Sequence, residues 1–349
     1  MYKNVYKYDE MKRKEHMAVR ENVGWYLWTH QLVEVKGDDA AAFLDLLFTK
    51  PIGTLKTGRE RYTTMLDEKG EIIDDVVVFR LEEHRFWVST LFATYMLQWM
   101  SANKGDYKVS FENITAGIHM YAVQGPRAKE LVNQLVNDPI DELKFFSFAQ
   151  NQIDDLPVMI NRAGFTGEKI GYEIYVAADK ADELEEKLHK AGDPMNAREV
   201  TEFQVMAWTL PTEAGFYYMR DLRHTNPFEV GLEKGIDWEK EFIGKEALLN
   251  IKENGPSREM VGFTVSEPDA YIQSRHLGGA GSAVLKGGEE VGRVVKFVYG
   301  FVKDTNIGYI MAKAGALREG DVVQIHGYDA VITDCLLYTS PSPRDRSVS

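Results

Sequence analysis

The spacing of apolar residues changes several times along the chain, and each change marks an element. Leu32-Val-Glu-Val-Lys alternates like a half-buried strand. Ala40-Ala-Ala-Phe-Leu-Asp-Leu-Leu-Phe predicts a helix, with Asp38 or Asp39 as N-cap and Pro51 just beyond its end. Arg61-Tyr-Thr-Thr-Met-Leu, the turn Asp67-Glu-Lys-Gly70 and Ile72-Ile-Asp-Asp-Val-Val-Val-Phe predict a hairpin. Arg85-Phe-Trp-Val-Ser, Pro157-Val-Met-Ile and Tyr172-Glu-Ile-Tyr-Val read as further strands. Tyr95 to Met100, Arg127 to Leu135 and Lys180 to Lys190 read as helices. Residues 12–22 carry charge on nearly every turn and predict a helix with a solvated face.

Beyond Gly244-Lys-Glu-Ala-Leu-Leu the texture shifts. Asn254-Gly-Pro-Ser is a linker signal. It is followed by short β-like runs separated by glycine turns: Val261-Gly-Phe-Thr-Val, Ser282-Ala-Val-Leu, Val291-Gly-Arg-Val-Val, Ile307-Gly-Tyr-Ile-Met and Val322-Val-Gln-Ile. These predict a small all-β barrel or sandwich of roughly 85 residues. The expected division is 1–253, then a barrel over 254–338, then a tail over 339–349. That tail, Thr339-Ser-Pro-Ser-Pro-Arg-Asp-Arg-Ser-Val-Ser, has no apolar period and reads as a non-native end or a native disordered one.

Composition narrows the class. At 349 residues the chain is long enough for about two or three domains. The single cysteine, Cys335, excludes an intrachain disulfide and a Cys-rich zinc module. With 41 basic and 54 acidic residues the net charge is −13, which argues against a general nucleic-acid binder. No apolar run approaches a membrane span and no signal peptide opens the chain, so a cytoplasmic setting is expected, with no membrane partner. The eight histidines show no ligand spacing, so no metal is expected, and His30 reads as structural.

Three places carry candidate chemistry. Asp74 and Asp75 open a very apolar strand, so one should face inward and the other outward. An inward Asp among Val and Phe needs a ligand or donor; a hydrated strand start is the plainer reading. Gly164-Phe-Thr-Gly-Glu-Lys-Ile-Gly171-Tyr-Glu-Ile allows close backbone approach, or is an ordinary glycine hairpin. It lacks the ending of a phosphate loop, and Glu173 within it could accept from adjacent N–H donors. Arg220, Asp221, Arg223 and His224 form a polar cluster that also reads as a solvated loop.

Several stretches, taken together and in order, resemble the aminomethyltransferase family, the T-protein of the glycine cleavage system. They are Glu15-His-Met-Ala-Val-Arg-Glu-Asn-Val-Gly24, Tyr62 with Asp67-Glu-Lys-Gly-Glu-Ile-Ile-Asp-Asp75, Gln124-Gly-Pro-Arg-Ala, Gly164-Phe-Thr-Gly-Glu with Tyr172-Glu-Ile, and Glu213-Ala-Gly with Tyr218 and Asp221. Pro227-Phe-Glu-Val-Gly-Leu, Phe242-Ile-Gly-Lys-Glu-Ala-Leu and Gly292-Arg-Val extend the match over about residues 15–334.

The resemblance implies an α+β, three-lobed fold, with two intertwined lobes in the first 253 residues, around a central hole that holds tetrahydrofolate. It implies Asp75 as the catalytic carboxylate near the folate's reactive nitrogens and Glu173 on the pterin ring. Tyr62, Asp74, Phe165, Tyr218 and Arg220 complete the implied cofactor-binding set. Phe165 stands where the family has a tyrosine. Pro211-Thr212 stand where the amino-methyl enzymes usually carry Arg-Leu, and Arg220 or Arg223 is expected to compensate. The implied activity is transfer of a one-carbon unit to tetrahydrofolate from a lipoylated carrier protein. Two alternatives are demethylation of a small methylated donor, for which Trp25, Tyr26 and Trp28 would form an aromatic wall, and a folate-binding protein without transfer activity. Buried core is the simpler account of those three aromatics.

Overall fold

The structure, a computed structural model, describes residues 5–28 and 31–333. The expectations for His30, Cys335 and the 339–349 tail concern positions outside the described residues. In chain order the first elements are α1 (Glu10–Glu21), β1 (Gly24–Trp28), β2 (Gln31–Lys36), α2 (Ala40–Leu47), β3 (Arg59–Leu66), β4 (Ile72–Glu82), β5 (Arg85–Thr90), α3 (Ala93–Asn103) and β6 (Ser110–Asn113). Then come β7 (Ile118–Gln124), α4 (Ala128–Leu135), β8 (Phe148–Ile153), β9 (Leu156–Asn161), β10 (Gly171–Ala177), α5 (Ala181–Gly192) and β11 (Arg198–Glu199).

They build two interleaved sheets. One has the order β3-β4-β5-β2-β6, the other β11-β1-β7-β10-β9-β8. The chain enters the second sheet at β1, leaves it for the whole of the first, and returns at β7. Each sheet packs helices on its outer face. Phe43, Leu44 and Leu47 of α2 and Met96 and Met100 of α3 cover the first; Leu131 and Val132 of α4 and Leu184 and Leu188 of α5 cover the second. The inner faces meet in a third core that includes Leu32, Phe79, Met120, Phe148 and Tyr175. Strands covered on both faces read as near-continuous apolar runs, which is why β2 and β10 are more buried than their alternation suggests.

The remaining helices are α6 (Leu210–Glu213), α7 (Met219–Leu222) and α8 (Lys245–Asn254). The turn before α6, Val205–Thr209, is π-helical. Next come β12 (Arg258–Val265), β13 (Ala283–Lys286), β14 (Glu289–Gly300), β15 (Thr305–Lys313), β16 (Val322–Ile325) and β17 (Tyr328–Thr333). They close into a six-stranded barrel of order β12-β15-β14-β13-β16-β17, which leaves no sheet edge unpaired. The α+β class and the barrel are as expected from the sequence. Among the described residues, no helix is long and apolar enough to cross a membrane.

α1 has the expected solvated face, with Glu10, Lys14 and Glu21 exposed, but its opposite face buries charged residues that the charge pattern did not single out. Glu15, His16, Val19 and Arg20 are its buried residues. Glu15 accepts from Thr201 Oγ1 (2.8 Å) and from the Thr201 and Glu202 amides (3.1 and 2.9 Å). Arg20 donates to Glu168 Oε1 (2.5 Å), Glu213 Oε2 (3.2 Å) and the carbonyls of Thr166 (2.9 Å) and Leu210 (2.8 Å). His16 Nε2 lies 2.8 Å from the same Glu213 oxygen and its Nδ1 lies 2.9 Å from Thr209 Oγ1. The other Glu213 oxygen accepts the Val302 amide of the barrel at 3.0 Å. A charged helix is legible as solvated only when its partners are water, and here they are distant segments of the same chain.

Burial works against the Glu213 charge, yet His16 and Arg20 beside it hold its carboxyl below the ordinary range. Removing one partner of such a cluster leaves the others buried without compensation. Arg20→Met is therefore expected to lower the unfolding free energy by about 3–5 kcal/mol, read as a lower urea midpoint with an unchanged slope.

Candidate functional site

The β3–β4 hairpin builds one wall. Its register pairs Tyr62 with Val77 and Thr64 with Asp75. Tyr62 and Asp75 are thus diagonal neighbours on one face, and the Tyr62 hydroxyl donates to Asp75 Oδ2 at 2.9 Å. Both line a cavity between the two sheets and the α6–α7 segment.

Asp74, one residue earlier, points to the opposite face. Thr90 Oγ1 donates to its Oδ2 (2.5 Å) and the Asp75 amide to its Oδ1 (3.0 Å). Burial pushes its carboxyl well above the ordinary range. The expected ligand contact at Asp74 is corrected accordingly: strand alternation removes it from the cavity lining, and it supports the backbone of Asp75 instead.

The central strands of the second sheet build the inner end. Register sets Glu173 of β10 directly opposite Asn161 of β9. Asn161 Nδ2 donates to Glu173 Oε2 at 2.9 Å and to Glu60 Oε2 at 2.8 Å, and Tyr175 donates to Glu173 Oε2 at 2.9 Å. Burial raises the Glu173 carboxyl, with these two donors pulling the other way. Both donors go to one oxygen, leaving Oε1 for a ligand. Glu60 and Tyr175 line the cavity as well.

The glycine turn before β10 carries Phe165 into the lining. Gly164 and Gly171 lie against the Gln124 amide, where any Cβ would collide with it. Gln124 in turn accepts from Thr166 Oγ1 (2.9 Å) and donates to the Ala163 carbonyl (3.1 Å), which shapes the turn. Phe165 packs on Trp28 with ring centres 4.5 Å apart, and Trp28 stacks on Phe203 at 5.7 Å and 12°. Of the three aromatics weighed for a wall, Trp28 lines the cavity and Tyr26 packs beside it at 5.8 Å. Trp25 lies in the core against Tyr121 and His189, as the plainer reading held.

The third wall comes from α6 and α7. Pro211 and Tyr218 line it. Tyr218 caps α7, its amide donating to Asp221 Oδ2 at 2.9 Å. Asp221 is fully buried, paired with Lys296 of β14 at 2.7 Å and lying 3.0 Å from His276 Nδ1. The polar cluster around residue 221 is therefore not one solvated loop. Asp221 is interior, while Arg220, Arg223 and His224 are exposed. Arg220 and Arg223 do not line the cavity, so the expected compensation for a missing arginine is corrected: on so short a helix, burying Asp221 turns Arg220 to the solvent.

The cavity has a volume of about 160 Å³. Apolar cavities of ~150 Å³ hold a single aromatic ring, so this one accepts the flat head of a ligand whose remainder extends outward. The residues sequence reasoning missed are Glu60, Asn161 and Tyr175. Glu60 sits in the charged run Arg59-Glu-Arg, which resembles a solvated edge, but its spacing of two from Tyr62 was a signal that both share a face.

Carboxyl acceptors and flat aromatic side chains in one lining suit a planar ligand rich in N–H donors. Fold and site thus define an α+β protein with a ring-sized cavity lined by carboxyl and aromatic side chains. The family model described as the GCVT N-terminal domain matches residues 1–240, and the chain belongs to this family. It is 33% identical to an aminomethyltransferase of Alkaliphilus oremlandii, covering 89% of this chain and 84% of that one. It is 30% identical to an aminomethyltransferase of Symbiobacterium thermophilum, covering 95% and 90%. The crystal structure of the glycine cleavage system aminomethyltransferase T from Bartonella henselae superposes with a TM-score of 0.84 at 25% identity, covering 95% of this chain and 90% of that one.

The Tyr218 wall depends on a titratable pair. Burial disfavours the Asp221 charge, but Lys296 and His276 hold its carboxyl below the ordinary range. A depressed carboxyl contributes stability that is fully present above its unfolded pKa, about 3.9, and lost as pH falls through the lower folded value. Asp221→Asn removes that contribution and deprives Lys296 of its carboxylate. Urea unfolding across a pH series is expected to show a deficit of about 3–5 kcal/mol at neutral pH that narrows below about pH 4.

Proposed function

We propose that the cavity binds tetrahydrofolate, and that the protein is a tetrahydrofolate-dependent aminomethyltransferase of the glycine-cleavage type that receives its one-carbon unit from a lipoylated carrier protein. The observation that carries this reading is the pairing of Glu173 at the inner end with the Tyr62–Asp75 contact at the wall, in a chain of the GCVT family. The residues fit the ligand. Glu173 keeps an oxygen for adjacent N–H donors, Phe165 and Trp28 offer flat apolar surface, and Glu60 Oε1 is a buried polar atom without a partner. The division into a folate-binding region, 1–253, and a barrel, 254–338, belongs to the same reading.

Tetrahydrofolate, when bound, supplies the ring nitrogens that take up the one-carbon unit. The chain's own residues bind, orient and balance charge. Glu173 fixes the ring by accepting from its N–H edge. Asp75, oriented by the Tyr62 hydroxyl, stabilises positive charge beside the reacting nitrogens and holds a transferred proton at a carboxyl oxygen. Trp28, Phe165 and Phe79 keep water from that wall. Positioning is the larger contribution, because donor and acceptor must meet at near-attack distance.

A second reading, transfer from a small methylated donor, draws on one observation: Pro211 lines the cavity together with aromatic side chains, giving it an apolar surface there. Assay with a lipoylated, aminomethyl-loaded carrier separates the two, since only the first predicts turnover.

Two outcomes test the reading. Calorimetric titration with tetrahydrofolate is expected to give micromolar binding, about −8 kcal/mol, that weakens at least tenfold in Glu173→Ala. Absence of binding by well-folded wild type refutes it. Asp75→Asn is expected to lower turnover by about 10²-fold while leaving the melting temperature nearly unchanged; wild-type turnover removes Asp75 from the mechanism.

A further inference from the structure

We propose that Glu60 is a second recognition residue of this cavity, its carboxyl Oε1 engaging the hydrogen-bond acceptor that borders the N–H edge bound by Glu173; the inference rests on the tetrahydrofolate reading above. Glu60 is only 4% exposed and lines the cavity. Its backbone is held by the bond from its amide to the Phe146 carbonyl at 3.2 Å. Its Oε2 accepts one hydrogen of Asn161 Nδ2, whose other hydrogen goes to Glu173 Oε2. A single amide therefore holds two carboxyls side by side in the interior. Glu60 Oε1 is buried and makes no hydrogen bond.

Two adjacent buried carboxyls do not both ionise. The charge belongs on Glu173, which has two donors, Asn161 and Tyr175; Glu60 has one. Burial first, and then the Glu173 charge, push the Glu60 carboxyl well above the ordinary range, with Asn161 and Arg59 acting in the opposite sense. The Tyr175 phenol, pushed up by burial and by the two glutamates, stays a donor. Tyr62 and Asp75 face the same cavity from its wall. With the proton on Glu60, its Oε1 becomes an O–H donor next to an acceptor, the Glu173 carboxylate. A ring edge that complements this pair runs donor, donor, acceptor. A 2-amino-4-oxopyrimidine has such an edge: its amino and ring N–H groups meet Glu173, and a flanking carbonyl or ring nitrogen meets Glu60.

The test is titration of tetrahydrofolate into wild type, Glu60→Leu, Glu60→Gln and Glu173→Ala, from mildly acidic to alkaline pH, with thermal unfolding to verify that each variant is folded. Glu60→Leu is expected to bind about tenfold more weakly at neutral pH, the loss of one buried hydrogen bond. Glu60→Gln, which keeps a donor, is expected to recover most of that loss. Wild-type affinity should fall as pH rises through the raised Glu60 value, because ionisation removes the donor and adds a second negative charge. The fall should be absent in Glu60→Gln. Wild-type affinity in Glu60→Leu, or the same alkaline loss in Glu60→Gln, overturns the proposal. If wild type binds and Glu173→Ala alone weakens it, only the Glu60 role is lost. If wild type does not bind at all, the folate reading falls and takes this inference with it.

Discussion

A single buried guanidinium ties together the segments that surround the cavity. Arg20 reaches from α1 to the glycine turn through Thr166 and Glu168, and to the α6 segment through Leu210 and Glu213. Phe165 lies one residue before Thr166, and Pro211 two before Glu213, so the same side chain sets the spacing of two cavity walls. Glu213 extends the tie to Val302 of the barrel. A planar five-donor fork can serve four acceptors at once, and lysine cannot replace that geometry. The desolvation cost of such a cluster is large, so its value lies in fixing one arrangement of distant segments as much as in stability.

The cavity that results is acidic without being uniformly charged. Glu60 is driven toward its neutral form by burial, while Glu173 keeps two donors on one oxygen. A site of this kind selects by the pattern of donors and acceptors on a ring edge, because every mismatch leaves a buried polar atom unsatisfied. The net charge of −13 bears on none of this; recognition is decided by a few groups removed from water.

The barrel is part of the site although none of its strands lines the cavity. Lys296 and His276 hold Asp221, and Asp221 holds the amide of Tyr218, which does line it. A wall residue is thus positioned by a buried ion pair across the junction between the barrel and the sheets.

The hairpin of Tyr62 and Asp75, the barrel strands and the amphipathic helices α4 and α5 were legible from periodicity, because period and turn chemistry are properties of a short window of chain. Ordered motifs pointed to the family and to Asp75 and Glu173. The interior role of α1 was not legible: its charges read as solvated until Glu168 and Glu213, nearly 150 and 200 residues away, are brought against Arg20. The same holds for Glu60, which meets Asn161 only because two sheets close on each other, and for Arg220, whose exposure follows from the burial of Asp221. Local pattern fixes which face a side chain takes within its own element. What that face meets depends on contacts between segments far apart in the chain, and those exist only once the sheets, helices and barrel have packed.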